Sequence, residues 1–529
     1  MPASPNLPEL SARVAQLESE RDEYKKLYLS TLELCRRLEQ GLVGQKRERF
    51  VSGDAQLVLA ELLKLTVPGA AEPTALPEKS VVPAHERAKP TGRKPLPESL
   101  PRIEVEVLPP EVQKQGLDAF VRIGEDVSEV VERRAASFVV VRTVRPRFVA
   151  KPKIIETVEP QPMVSQAPQP DLPIPRGLAG PALLAETIVH RWQDHLPLYR
   201  LEQLYARDGL ELARSTICDW HFQIADLLNP LVEAMWQDAR ASAPYLCMDA
   251  TGVLVQAKEQ CRRGHFFVVV APERHVLYGY TPKHDGKAVD ALLGEYRGPL
   301  VVDAHSVYEH LFKEHKATEV ACWAHSRRYF FKALLTGGAQ VRRGLELIQA
   351  LFMLEREYET APPEVRLQRR QREAKPIVEA FFAYCDTEAL TALDETPISK
   401  AVNYARNQRE ALERFLADGR LPIHNNSSEN ALRREAVGRK NWLFLGSDEG
   451  GEVNAKFVSL LASCQMHGLE PLSYLRDLLC LFPWWPKSRV LELAPVNWAA
   501  TVSRPEVQAE LAANVFRQAS LGPIEPPSR

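Results

Sequence analysis

Three acidic residues stand where a chain of this kind could do phosphoryl chemistry. Asp249 follows the apolar Leu246, Cys247 and Met248, Asp303 ends the apolar segment "PLVV", and Glu429 lies in a polar stretch that opens a helix. Ser427 or Ser428 is the expected cap of that helix. Carboxylates are hard oxygen ligands that bind Mg²⁺ or Mn²⁺ and leave coordination positions open. Two such ions roughly 3.5–4 Å apart stabilise the attacking and leaving oxygens of an in-line displacement at phosphorus. Taken singly, each acid reads as a cap or a turn residue. The chemistry depends on the fold bringing the three together.

The surrounding patterns suggest how it would. From Pro244 the chain turns α/β. The segments "YLCMDATGVLVQA", "GHFFVVVAP" and "HVLYGYTP" read as a three-strand meander. "GKAVDALLGEY" follows as a helix, "GPLVVD" as a buried fourth strand, "TEVACWAH" as a fifth and "SRRYFFKALL" as a helix. That order is the order of an RNase H-like α/β core, in which the first and fourth strands lie side by side. Residues 244–337 and 419–482 are the expected two parts of this core. The helical periodicity over 338–418 marks an all-helical insertion between them.

Ahead of the core, residues 180–235 read as helical. "PALLAETIVHRWQDH" looks amphipathic. A helix to Arg207, a turn at Asp208–Gly209 and a second helix capped by Ser215 make a helix-turn-helix candidate. Arg214, Ser215 and Thr216 would then enter a major groove, although an ordinary helical hairpin has the same pattern. Residues 103–158 alternate as a small β module. Its stretch from Arg142 to Lys153 carries Arg142, Arg145, Arg147, Lys151 and Lys153 and no acid. Such a strand either grips phosphates or is a solvated face. Residues 51–102 and 159–179 read as Pro-rich linkers, and residues 483–529 as a peripheral C-terminal tail. Over residues 1–50, Leu10, Val14, Leu17, Tyr24, Tyr28, Cys35, Leu38 and Leu42 fall on a heptad seam. This reads as a coiled coil that would make a homo-oligomer, or as one amphipathic helix docked on its own chain.

Composition narrows the function classes. With 67 Lys plus Arg against 69 Asp plus Glu in 529 residues, the net charge of -2 excludes a uniformly basic coat but not local basic patches. No apolar run is long enough to span a membrane, so no membrane partner is expected. The eight cysteines show no CxxC spacing, which fits reduced thiols and a cytoplasmic location.

Several long motifs resemble the insertion-sequence-66 family of transposases. They are "GEDVSEVVE", "LAETIVHRWQDHLPLYRLEQLYARDGLELARSTICDW", "CWAHSRRYFFKAL", "NNSSENALRREAVGRKNWLFLGSDEGGE" and "SLLASCQMHGLEPLSYLRDLL", in that order, from roughly residue 120 to 482. The resemblance implies a DDE transposase, which cuts and joins DNA strands at the ends of a mobile element using Mg²⁺ or Mn²⁺, two ions in all. It matches Asp249, Asp303 and Glu429 to the three catalytic metal ligands. It also matches Asn425 and Asn426 to an Asn pair, and His325, Arg327 and Arg328 to a motif, both near those ligands. Arg433, Arg434, Arg439 and Lys440 form a basic segment suited to DNA contacts. Transposon ends and target DNA are the implied partners, with small accessory proteins beside them. The family's zinc-binding cysteines are absent here, so no zinc is expected. Asp249-Ala250-Thr251 replaces the usual Asp-Glu-Thr, His424 the usual Asp, and Asn430 the usual Arg. An RNase H-like nuclease or resolvase, or an inactive transposase-derived DNA-binding protein, are the alternative readings.

Overall fold

The computed structural model describes residues 16–17, 21–22, 96–98, 100–134, 137–150 and 164–522. The expected coiled coil and first linker lie almost wholly outside the described residues, as do Lys151 and Lys153. The chain divides into two compact units. Among the described residues, the smaller includes Arg327–Ala350 and Ala380–Arg406, and the larger includes Leu351–Glu379 and most of the rest from Leu96 onward.

The larger unit begins with β1 (Arg102–Glu106), α1 (Pro110–Gln115), β2 (Phe120–Arg134), β3 (Ser137–Ala150) and β4 (Val164–Gln166). β2 and β3 form a long antiparallel hairpin, β1 runs parallel to β3 on its other side, and β4 pairs with the end of β3. Alternating valines turn one face inward, and Val130 and Val141 pack with Leu172, Phe516 and Ala519. The last two come from the segment expected to be a peripheral tail. That expectation is corrected: Phe516 and Ala519, with Leu172, cover the inward face of the β module.

Four helices follow: α2 (Pro181–Trp192), α3 (Leu198–Arg207), α4 (Arg214–Leu227) and α5 (Asn229–Ser242). α2 is not amphipathic in its first two turns. Every residue from Pro181 to Ile188 is buried, Glu186 included. Its N-terminus is held from a distance, with Glu132 of β2 accepting the Leu183 N–H at 2.7 Å. Gly180 is required there, since a Cβ would collide with the Glu132 carboxylate. Arg133 adds a buried ion pair to Glu186 at 2.6 Å. These contacts account for part of the "SEVVERR" stretch: it docks the β module on the helices. Between α3 and α4 the chain turns at Gly209, whose φ of 85° favours glycine. Ser215 is not the cap of α4. The helix starts at Arg214 after Ala213, and Glu202 of α3 accepts the Arg214 N–H instead.

The second sheet contains β5 (Leu246–Val255), β6 (Arg262–Ala271), β7 (His275–Thr281), β8 (Pro299–Val302) and β9 (Thr318–Ala321). α6 (Gly286–Leu293) precedes β8, and α7 (Glu309–Lys313) precedes β9. The strand order is β7-β6-β5-β8-β9, antiparallel through the meander and parallel from β5 to β9. The first and fourth strands of the block are therefore neighbours, as the sequence suggested. Phe266 to Ala271 are all buried, as a central strand covered on both faces requires. β9 ends at Ala321, and the expected fifth strand is shorter than its segment. "CWAH" already caps and opens the next helix.

That helix, α8 (Trp323–Glu357), runs unbroken through the expected boundary at residue 338. α9 (Pro363–Arg369), α10 (Lys375–Thr391), α11 (Pro397–Asn407) and α12 (Arg409–Glu413) keep the 338–418 stretch helical. Within the smaller unit, Phe330 packs edge-on against Phe381 and Tyr329 stacks on Tyr404. The remaining helices belong to the larger unit: α13 (Asn426–Trp442), α14 (Asp448–Met466), α15 (Pro471–Leu481), α16 (Pro495–Val502), α17 (Pro505–Ala513) and α18 (Val515–Leu521). α14 covers the open edge of β7. Its Ser459 and Ser463 hydroxyls accept the Tyr278 and Val276 N–H groups, which an edge strand would otherwise leave bare.

Candidate active site

The register of β5 on β8 pairs Leu246 with Leu300 and Cys247 with Val301. Two residues further on each chain (247 + 2 and 301 + 2) stand Asp249 and Asp303. Asp249 is still in β5, while Asp303 immediately follows β8, so the two acids stand just past the end of the pairing between neighbouring strands. Both side chains are partly exposed. The Tyr308 phenol, 2% exposed, is held well above its ordinary range, first by burial and then by the charges of Asp303 and Asp249. One phenol therefore senses both carboxylates.

Glu429 arrives on α13. The expected serine caps are not used: the cap residue is Asn425, and its side chain makes no capping bond. The Asn425 amide is committed elsewhere, donating to the Met248 carbonyl at 2.9 Å, while the Ser428 hydroxyl donates back to the Asn425 carbonyl. Asn425 is fully buried, and the Cys322 thiol accepts its N–H at 3.2 Å. One side chain thus fastens the start of the Glu429 helix to the residue preceding Asp249. Glu429 lies one turn on, where its N–H returns to the Asn425 carbonyl. His325 Nδ1 is 3.7 Å from Glu429 Oε1.

The donor atoms of Cys322, His325 and Glu429 converge within 4.8 Å, a set that includes one of the three acids. Burial pushes the Cys322 thiol up, which keeps it a neutral cap for the Asn425 N–H. The oxygen donors of Asp249 and Asp303 suit a hard divalent cation better. Asp303 makes no ion pair among the described residues, and adjacent carboxylates without a cation repel each other.

The other sequence-derived candidates are spread more widely. Asn426 opens α13, its N–H facing His424 Nδ1 at 3.5 Å. Arg327 and Arg328 are exposed on α8 and fall in the smaller unit. Arg433 is exposed on α13, and Arg434 is held by Gln193 and, at 2.8 Å, by Gln465. Both arginines line an open cleft of about 480 Å³ with His195, Asn430, Tyr278 and Met466, and no acid faces it. Arg439 is a brace, donating to the Thr251 hydroxyl at 2.9 Å and to the Gly252 carbonyl, while Lys440 is exposed. Arg214 and Ser215 are exposed at the start of α4, with Thr216 partly covered.

The basic strand looks different in three dimensions. Arg142 pairs with Glu104 of β1 at 2.9 Å, and Arg147 pairs with Asp126 of β2 at 2.6 Å. Arg145 donates to the Ala167 carbonyl and lies 3.7 Å from Asp126. Acids from the flanking strands neutralise a segment that contains none of its own.

A histidine group stands beside Asp303 that no sequence motif announces. His265 of β6 stacks on His284 at 4.9 Å, and His284 lies 4.7 Å from His305, two residues past Asp303. Three separate segments supply these rings, so no local spacing marks them. Burial, and then the neighbouring His305, hold His284 below its ordinary range.

Comparison with known proteins bears on the whole chain. Residues 176–453 match the family described as Transposase IS66 family, and residues 32–105 match the one described as Transposase C of IS166 homeodomain. Uncharacterized protein y4qI of Sinorhizobium fredii (strain NBRC 101917 / NGR234) is 30% identical over 514 residues, covering 92% of each chain. Uncharacterized protein y4hP of the same organism is 29% identical over 499 residues, covering 88% of this chain and 89% of its own. No described helix is long and apolar enough to cross a membrane. With its long motifs in order and more than half its length matched, the chain belongs to the IS66 family of transposases.

Proposed function

We propose that this transposase cleaves and joins DNA strands at the ends of an insertion sequence through Asp249, Asp303 and Glu429. The observation that carries the reading is the parallel pairing of β5 with β8, which ends two residues before Asp249 on one strand and before Asp303, just past the other, with the Glu429 helix fastened to Met248 through Asn425. The strand order β7-β6-β5-β8-β9 supports an RNase H-like core. In that reading the three carboxylates hold Mg²⁺ or Mn²⁺, as two ions, which supply charge stabilisation for in-line displacement at phosphorus. The chain's own contribution is placement. Asn425 sets the height of Glu429 against Asp249, and Arg439 braces the same helix against the strand end. His325 lies close enough to orient Glu429.

DNA would follow the acid-free cleft at Arg433 and Arg434 and be gripped by Lys440. Arg214, Ser215 and Thr216 would meet a groove from the start of α4. Oligomerisation through the N-terminal segment, small accessory proteins and a cytoplasmic location complete the proposal.

The test uses the full chain, Mg²⁺ and linear DNA carrying the ends of the element around its gene. Asp303→Asn is expected to lower cleavage by at least about 10²–10³-fold, the scale of lost transition-state charge stabilisation, with DNA binding retained. Joined products separate a transposase from a nuclease, which releases fragments only. Absence of cleavage by the parent protein, or undiminished cleavage by Asp303→Asn, overturns the reading.

A further inference from the structure

The catalytic-helix candidate α13 ends in an unusual way. Leu443, its C-terminal cap, has φ 66° and ψ −52°, and the Phe444 N–H donates to the Trp442 carbonyl at 2.8 Å. This is a γ-turn of the positive-φ form, which is rare and strained for a residue with a side chain. The strain persists because both flanks are fixed. The Leu443 N–H is bound to the Arg439 carbonyl on the helix side. On the other side Leu445 bridges to β5, donating to the Leu254 carbonyl and accepting from the Gln256 N–H, each at 2.8 Å.

The turn presents two large apolar side chains to solvent, Leu443 at 64% and Phe444 at 43% exposure. Trp442 lies under the Arg191 guanidinium, whereas its two neighbours are exposed. From Ala436 to Ser447 the chain holds two cations, Arg439 and Lys440, and no acid. The exposed apolar tip is therefore fastened by hydrogen bonds on both flanks, follows two cations in the chain, and ends the helix that bears Glu429.

We infer that Leu443 and Phe444 form a wedge that enters a DNA duplex between adjacent base pairs and unstacks them, about 21 Å along α13 from Glu429. The inference rests on the DNA-processing reading above. Apolar wedges flanked by cations distort duplexes in this way, and pyrimidine–purine steps yield most readily. A wedge needs an apolar tip that does not fold back on its own protein, and the fixed γ-turn supplies it.

The test places 2-aminopurine at successive TA and CA steps of a duplex and follows its fluorescence as full-length protein binds. The wild type should raise the fluorescence at one or two steps. Leu443→Gly keeps the positive-φ turn without strain, and Phe444→Ser removes the ring. The double variant should still bind DNA but lose the fluorescence rise. Binding by the wild type with no rise at any step overturns the wedge while leaving the DNA reading intact, as does a rise that survives in the double variant. Failure of the wild type to bind DNA overturns the DNA reading itself. If the double variant changes self-association in sedimentation and leaves the fluorescence rise unchanged, the patch is a contact between copies and the wedge is refuted.

Discussion

Arg370 offers the sharpest test of how the helices position α13. It lies in a five-residue π-helical segment, Arg370–Ala374, and is fully buried. All five of its N–H groups are used. Nε and Nη2 bind the two Glu355 oxygens at 2.8 and 2.7 Å. Nη1 reaches the Phe415 and Asp418 carbonyls at 2.9 and 2.8 Å, and Nη2 also reaches Leu421 at 2.8 Å. The last three acceptors lie on the segment that leads into Asn425 and Glu429. Arg370→Met would strand a nearly buried carboxylate and three carbonyls. Removing one partner of a buried pair costs about 3–5 kcal/mol. With an unfolding entropy of about 2.1 cal/mol/K per residue, a chain of 529 residues loses about 1 °C per kcal/mol, so the thermal midpoint falls by roughly 3–5 °C. Calorimetry or circular dichroism reads the midpoint. Adding Glu355→Met should recover at least about 1 kcal/mol, because an uncompensated buried charge is the costliest part. A shift under about 2 °C for the single variant, or a double variant less stable than the single, would refute the reasoning.

Three further outcomes are expected. Asn425→Ala should lower the cleavage rate by about 10–10²-fold with DNA affinity unchanged, as a small misplacement of a catalytic group does; single-turnover rates and filter binding check it. Arg433→Ala should reduce the salt slope of DNA binding by about one, whereas Arg142→Ala should leave it unchanged because Glu104 already neutralises that cation. Burial raises the Glu132 carboxyl from its ordinary 4.5 to about 8. The folded state then holds a proton that the unfolded chain releases, so stability falls as pH rises from about 4.5 to about 8. Glu132→Gln should match the wild type near the lower limit and surpass it above the upper one; thermal midpoints across this window decide, and an unaltered pH dependence would count against the assignment.

The local record was informative where a strand is covered on both faces. "FFVVV" and "PLVV" could be little else, and the acids at their margins stood out by contrast. Cap residues were less legible. Ser215 and Ser428 are good caps by type, yet Glu202 serves one helix from elsewhere and Asn425 spends its amide on Met248 in the other. Likewise α2 has polar residues at helical spacing, but Arg133 of β2 compensates the buried Glu186 and Glu132 of β2 takes up a free N–H at the helix start.

What the sequence determined by itself was therefore the family motifs, the order of strands and helices, and the three acids that end or open them, all of which depend on short-range pattern. Tertiary structure alone decided which charges are available. Arg142 and Arg147 are neutralised across strands, while Arg433 and Lys440 stay exposed. It alone assembled His265, His284 and His305 beside Asp303, and brought Phe516 into the core of a module nearly four hundred residues earlier. The physical reason is range. Periodicity reports what one segment buries, whereas charge neutralisation and site assembly depend on which distant segments the packing brings within a few ångströms.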